Sequence, residues 1–464
     1  MTLMKLKKTK NLNNILKILR SKLKNTIYEG HVFLVGGYVR DSILLQGKED
    51  LTDFDFATTC NALKLVEFLY KKKILDHFPV KYANYGTAMV SINGIKLEFV
   101  TTRKEAYVRG SRKPIVEPGT LHDDVLRRDF TINTLMADIY SEEIFDPTGL
   151  GFKHCEGKIL STPTDPNITF KEDALRMLRA VRFISKYNLT PTEEVVKALK
   201  ENASELKVIS QERIRDELVK MLSLPKPSKS LNLLLEYGLI EYVIPEMIPL
   251  KGLEQGKYHY TDAWNHVLGV VDNVGNGDLV LSLAALLHDI AKPETRTCED
   301  GVTHFFGHEV TGASKANTIL RRLRFPNEIV IQVNLLIKNH MRISSRDQIG
   351  KSAIRRLVRD LGDNLDQLIK LAKADRGAHV YNTKDTKLIN HIYTLIDEVR
   401  NEAPVIELQS PLSGTEIMEY LKLEPCKLVG EIKNYLTELV ISGDILYTDK
   451  EKAKDIIMSY HLTH

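Results

Sequence analysis

The sequence predicts an α+β protein: an α/β head at the N-terminus, then an all-helical neck, body and tail. Three observations carry this. Between residues 31 and 101, short apolar runs and polar–apolar alternation give the spacing of strands. After about Phe170 the apolar spacing turns helical almost to the C-terminus. A chain of 464 residues also exceeds one ordinary core, so about two to four domains are expected.

Residues 1–25 hold eight Lys/Arg and no Asp or Glu, so a net charge of +4 leaves −4 for residues 26–464. The body is therefore not basic as a whole, and an RNA contact there needs a local patch. Leu12, Ile15, Leu16, Leu19 and Leu23 fall at helical spacing. This predicts an amphipathic helix on the first domain, with RNA contact or a transit peptide as the alternatives. The mostly Lys bases weaken the transit reading. His31–Gly36 reads as a strand that Gly36-Gly37 ends, and Val39–Leu45 begins a helix. Residues 52–58 alternate as a half-buried strand, and 61–72 are helical. Thr87–Ile92, Asn93-Gly94 and Ile95–Thr101 form a hairpin, because Asn-Gly suits a type I′ turn. Residues 102–120, with five basic residues, two glycines and two prolines, read as a loop. Helices follow near 171–186, 192–206, 211–223 and 228–239, and again from 262 onward; 402–413 reads as a linker. The expected domains are a basic helix (1–29), head (30–150), neck (151–250), body (251–400) and tail (401–464).

A charged fraction of 27% argues against a membrane protein. The richest apolar stretch, Leu279 to Ala291, contains His288 and Asp289 and is too short to span a bilayer. The N-terminus lacks the apolar core of a secretory signal. Cys60, Cys155, Cys298 and Cys426 are scattered without a CxxC pair, which disfavours a zinc site and fits a reduced, cytoplasmic compartment.

Asp53 and Asp55 sit two apart on a predicted strand, so their side chains share a face. Two such carboxylates can hold one or two Mg²⁺ ions for in-line phosphoryl transfer. Upstream, Gly36-Gly37 opens a helix and offers backbone N–H groups to phosphate, while Arg40 adds a fork for a triphosphate. Val35-Gly-Gly-Tyr-Val-Arg40-Asp41 followed by Asp53-Phe-Asp55 resembles the first motif of tRNA CCA-adding enzymes and bacterial poly(A) polymerases, members of the polymerase-β-like nucleotidyltransferases. The resemblance continues through Arg127-Arg128-Asp129-Phe-Thr-Ile-Asn133, Glu172-Asp173-Ala-Leu-Arg176-Met-Leu-Arg179-Ala-Val-Arg182, and Ser210-Gln-Glu212-Arg213-Ile-Arg215-Asp-Glu217. It implies a polymerase-β-like head with a mixed sheet, and Asp53 and Asp55 as Mg²⁺ ligands. Glu98 would complete an acidic triad, a solvent-facing strand residue being the alternative. Gly36, Gly37 and Arg40 would meet the nucleotide phosphates and sugar. Arg127, Arg128, Asp129 and Asn133 would shape the pocket, with Arg179 and Arg182 on the adjoining helix.

Asp173 and Arg176, three apart on a predicted helix, would share a face. Cytosine and adenine each pair an exocyclic amino donor with a ring-nitrogen acceptor. A carboxylate accepts from the first while a guanidinium donates to the second. Uracil and guanine put a carbonyl against the carboxylate instead, which costs roughly 1–3 kcal/mol. The family uses this pair as a protein template. Thr101 to Pro114 resembles the flexible loop needed for the final A, which argues against CC-only addition.

His288-Asp289-Ile-Ala-Lys292-Pro293, with His266 upstream and His308, His340 and Asp375 downstream, resembles the HD phosphohydrolase superfamily. The resemblance implies a site for Mn²⁺, Ni²⁺ or Mg²⁺ and phosphoester hydrolysis. The reading is thus a template-independent nucleotidyltransferase that adds CCA to tRNA from CTP and ATP, with an HD-type body. The alternatives are an A-adding enzyme, a poly(A) polymerase, an HD phosphohydrolase with a nucleotide-binding head, or a non-catalytic RNA-binding protein. Filled metal positions argue against the last. Oligomeric state is not fixed by the sequence.

Overall fold

The computed structural model describes residues 4–45, 54–106, 115–255, 261–344, 349–378, 385–402 and 408–463. The chain divides into two compact units, Met1–Pro245 and Glu246–His464.

The first unit opens with β1 (Met4–Lys5) and α1 (Lys10–Leu23). Leu12, Ile15, Leu16, Leu19 and Leu23 are all buried, so the basic stretch lays its apolar stripe inward, and Thr9 caps the helix by accepting from the Leu12 N–H. Then come β2 (Val32–Val35), α2 (Gly37–Leu44), β3 (Phe54–Thr58), α3 (Ala62–Lys71), β4 (Val80–Tyr82), β5 (Thr87–Ile92) and β6 (Ile95–Thr101). Asn93 and Gly94 have φ of 52° and 76°, the positive values a type I′ turn requires. β7 (Arg103–Ala106) and β8 (Ile115–Pro118) pair antiparallel, so part of the expected loop at 102–120 is a two-stranded arm. Its charges and prolines hide the strand pattern, whereas the pairing uses the backbone. The head closes with α4 (Leu121–Leu126), β9 (Met136–Asp138), β10 (Glu143–Phe145) and α5 (Gly151–Glu156).

Strand order is β1-β10-β9-β2-β3-β6-β5-β4. Only β3 and β6 run parallel within it, so the sheet is mixed, as expected. One face carries Phe56 and Phe99, stacked at 5.1 Å, and α3 packs on β5 and β6. The opposite face carries Val35, Asp55, Ala57 and Glu98; there Val35 and Ala57 are buried with Val125 of α4.

The neck holds β11 (Ile159–Leu160), α6 (Pro166–Glu172), α7 (Leu175–Tyr187), β12 (Thr190–Pro191), α8 (Glu193–Glu201), α9 (Gln211–Leu222), α10 (Pro227–Glu236) and α11 (Ile240–Val243). The single helix expected over 171–186 is broken at Asp173, whose backbone is extended (φ −148°, ψ 101°). Its side chain accepts from the Leu175 N–H at 3.2 Å. A short polar side chain thus competes with the helical ladder and restarts it.

The second unit contains α12 (Ala263–Val274), α13 (Leu279–Leu287), α14 (Lys292–Thr295), the hairpin β13 (Thr297–Glu299) and β14 (Val302–His304), α15 (His308–Arg322), α16 (Asn327–Asn339), α17 (Met341–Ser344), α18 (Lys351–Leu361), α19 (Leu365–Gly377), α20 (Asp385–Glu402), α21 (Gly414–Leu421), α22 (Lys427–Ser442) and α23 (Lys450–Thr463). The hairpin turns at Asp300-Gly301, both at positive φ. Ile417, Ile432, Leu436 and Ile457 form a core that also buries Leu412, so the end of the expected linker 402–413 is packed structure. No described helix is long and apolar enough to cross a membrane.

Candidate active site

Gly36 ends β2 at φ +72°, and Gly37 begins α2. A Cβ on Gly36 would lie 3.1 Å from Asp55 Oδ2. The Asp55 carboxylate therefore abuts the glycine corner and the N-terminus of α2, where backbone N–H groups favour an anion. Asp55 pairs in register with Glu98 across the parallel strands β3 and β6, so the two carboxylates share a face at roughly the 4.8 Å strand spacing. Burial raises the Glu98 pKa, and Arg103 partly opposes this. Asp53 lies outside the described residues. The carboxylate pair beside a corner without a side chain suits a divalent cation.

Gly36, Gly37, Arg40, Asp55, Arg127, Arg128, Asp129, Asn133, Asp173, Arg176 and Arg179 line one cavity of about 410 Å³, together with Leu175 and Arg213. A hydrogen-bonded chain fixes its wall. The Tyr187 hydroxyl donates to Asp41 Oδ1 (2.7 Å), as does Arg40 Nε (2.6 Å). Arg40 Nη1 donates to Asn133 Oδ1 (2.8 Å), Asn133 Nδ2 to Asp129 Oδ1 (2.7 Å), and Arg179 Nε to Asp129 Oδ2 (2.7 Å). The Arg40 guanidinium also lies 4.9 Å from the ring centroids of both Phe183 and Tyr187. Burial pushes the Asp129 carboxyl up, but Arg179 and Asn133 more than offset it and hold it below the ordinary range. Asp124 behaves alike: burial opposes ionisation, and Arg128 and Arg127 win. Arg128 Nη1 also donates to the Asn133 carbonyl (2.8 Å). Arg182 turns to buried Glu217 (2.7 Å).

Asp173 and Arg176 do not share the face of one helix as expected, because Asp173 precedes α7. Arg176 donates to Glu172 (2.8 Å) and to the carbonyls of Arg127 (2.7 Å) and Thr169 (3.1 Å). Asp173 Oδ2 accepts instead from Arg213 Nη2 (2.7 Å), on α9. All three still line the cavity. Arg213 belongs to a motif in the sequence but had no expected place in the pocket. Its signal is a tertiary contact 40 residues away in the chain, which local spacing does not reveal.

In the second unit, α12, α13, α15, α16 and α19 bring His266, His288, Asp289, His308, His340 and Asp375 together, all buried. His266 Nε2 lies 3.0 Å from Asp375 Oδ1, His288 Nε2 3.2 Å from Asp289 Oδ2, and His308 Nε2 3.5 Å from Asp289 Oδ1. Two trios, His266/His288/Asp289 and Asp289/His308/His340, are each close enough to hold one ion. The imidazoles of His288, His308 and His340 place Nδ1 on the carbonyls of Ala285 (2.9 Å), Phe305 (2.6 Å) and Ile337 (2.6 Å). A carbonyl only accepts, so each Nδ1 carries a proton and each ring turns its Nε2 inward. His308 and His340 then face each other through Nε2 at 3.3 Å, and burial pushes the His340 pKa down to about 4. Two ring nitrogens turned toward each other suit a cation between them. His288 Nε2 and Asp289 Oδ2 are buried without a hydrogen-bond partner, although Lys292 Nζ comes within 2.7 Å of Asp289 Oδ2. The donor set fits a divalent metal.

Residues 32–161 match the family model for the poly A polymerase head domain, 188–250 the one described as "Probable RNA and SrmB- binding site of polymerase A", and 264–378 the HD domain. The chain is 32% identical over 342 residues to the A-adding tRNA nucleotidyltransferase of Deinococcus radiodurans, covering 71% of this chain and 77% of that protein. It is 29% identical over 438 residues to the CC-adding tRNA nucleotidyltransferase of Thermus thermophilus, covering 92% and 93%. Its fold matches the crystal structure of the Bacillus stearothermophilus CCA-adding enzyme in complex with CTP (TM-score 0.69, 21% identity, 98% of this chain and 99% of that one). The chain belongs to the tRNA nucleotidyltransferase family, with a poly(A)-polymerase-type head and an HD domain.

Proposed function

We propose that the chain adds C, C and A to the 3′ end of tRNA, taking them from CTP and ATP. The observation that carries this is Asp55, paired in register with Glu98, set against the Gly36 corner of an arginine-lined cavity. Asp53 and Asp55 would hold Mg²⁺, which when bound neutralises charge on the transferring phosphoryl group. The remaining work falls to the chain. The N-terminus of α2 and Arg40 bind the triphosphate, with Arg40 oriented in advance by Asp41 and Asn133. Glu98, its pKa raised by burial, takes up the proton of the attacking 3′-hydroxyl. Asp173 accepts from the exocyclic amine of C or A while Arg213 or Arg176 donates to the ring nitrogen, so U and G meet an unpaired acceptor.

The similar proteins include A-adding, CC-adding and CCA-adding enzymes, and the solved structure described above is a CCA-adding enzyme. Three substrates separate these readings: tRNA lacking CCA, tRNA ending in CC, and an unrelated RNA, each with CTP and ATP. CCA addition extends the first by three nucleotides and the second by one. Extension of the second alone indicates A-only addition, and adenylation of all three indicates a poly(A) polymerase.

For the second unit the reading is a metal-dependent phosphohydrolase. Mn²⁺, Ni²⁺ or Mg²⁺ would sit among His266, His288, Asp289, His308, His340 and Asp375, and terminal or 2′,3′-cyclic phosphates on tRNA ends would be the substrates. Cys60, Cys155, Cys298 and Cys426 are free thiols, which fits the cytoplasm.

A further inference from the structure

We infer that the open part of the catalytic sheet face, formed by Met89, Tyr82 and Val80, stacks the terminal base of the RNA being extended. This rests on the nucleotide addition proposed above. Register places Asp55, Glu98, Met89 and Val80 in one row across β3, β6, β5 and β4. Residues paired in register project to one face, so at about 4.8 Å per strand Met89 lies roughly 10 Å from Asp55 and Val80 roughly 14 Å. Nearer β2 this face is covered by α4, but among the described residues it is open beyond Glu98: Val80 is 55% exposed, Tyr82 45% and Met89 39%. The Tyr82 hydroxyl lies 4.0 Å from Met89 Sδ, so the two form one patch. Edge strands ordinarily carry charge or are covered; an exposed apolar row on β4 calls for an occupant.

Two geometric facts select the RNA end. The nucleotide cavity draws its wall from Gly36, Gly37, Asp55 and the helical side of the unit, and takes no lining residue from β4, β5 or β6. In-line displacement needs the attacking hydroxyl opposite the leaving group, so the 3′ end approaches along β6, β5 and β4. With its 3′-oxygen at Asp55 and Glu98, its base falls over Met89 and Tyr82. Exposed Lys96 lies on the same face, paired with Ser91 of β5, and offers a cation to the backbone. An apolar platform also answers a specific need. The terminal base changes with each addition, so it must be held without base-specific hydrogen bonds, and stacking is tolerant because every base has a π face.

The test is the double variant Tyr82→Thr/Met89→Thr, in which threonine keeps strand propensity and removes the patch. The KM for a tRNA primer should rise about 10-fold, with KM for CTP and kcat at saturating primer little changed. Phe78→Ser, also exposed but beside Lys81, whose partner Ala88 faces the other way, should leave the primer KM unchanged. Binding is read without turnover from an RNA ending in 2-aminopurine: the parent should quench it and the double variant should not. An unchanged primer KM and an unchanged quench overturn the inference. So does conversion of a dimer to a monomer with primer KM intact, which would assign the patch to a second copy. If the parent extends no RNA, the proposed activity fails, and the quench alone decides the platform.

Discussion

In the head and neck, the buried carboxylates Asp41, Asp124, Asp129 and Glu217 each meet a guanidinium: Arg40, Arg127 with Arg128, Arg179, and Arg182. In the second unit, Asp289 meets Lys292 and three imidazoles, and His288 and His308 tie Nδ1 to a backbone carbonyl so that Nε2 faces it. The first arrangement offsets the cost of burying charge with direction, leaving Arg40, Arg127, Arg128 and Arg179 on the wall of a cavity suited to an anion. The second leaves acceptors converging on one point, which awaits a cation. Acidic residues are common to both, and what each site binds follows from the donors placed around them.

The two sites should separate most widely at His288. His288→Ala removes an inward Nε2, and Mn²⁺ affinity of the second unit should fall about 100-fold or more, with CTP binding unaltered; calorimetry with each ligand reads both. In the head, Gly36→Ala puts a side chain against Asp55 at positive φ. It should cost about 1–2 kcal/mol of stability and lower kcat about 100-fold through displacement of the carboxylate; denaturation and single-turnover assays check the two effects. Asp173→Ala/Arg213→Ala should raise UTP incorporation relative to CTP about 10-fold, measured by competition. If UTP stays excluded, base reading does not lie in this pair. The smallest effect concerns Glu98. Its folded pKa is raised, so the stability it contributes is present below its unfolded pKa of about 4.3 and is lost as pH rises through the folded value. Glu98→Gln should therefore raise Tm slightly at pH 7, with the gain gone below about pH 4, while nucleotide addition falls.

Much of this was legible along the chain. The alternation around Asp55, the Asn93-Gly94 turn and the apolar stripe of α1 are local patterns, and each element formed where the pattern lay. The six HD positions also converge. What escaped the sequence is what depends on distant partners or on a single capping residue. Asp173 lies in a stretch of good helix formers, so periodicity runs through it, yet its side chain breaks the helix and turns to Arg213. The β7–β8 arm carries charge and proline where strand signals are sought. Arg182 shares the helical face of Arg179 but finds Glu217 rather than the cavity.

On the proposed function, the Asp55 carboxylate beside the glycine corner drives nucleotide addition. Asp55→Asn keeps the shape and removes the charge, so its extension of a tRNA lacking CCA tests this most directly. With CTP and ATP the parent should yield a product three nucleotides longer, and the variant, folded and still binding CTP, should yield none. Extension by the variant at a rate near that of the parent would remove Asp55 from the chemistry.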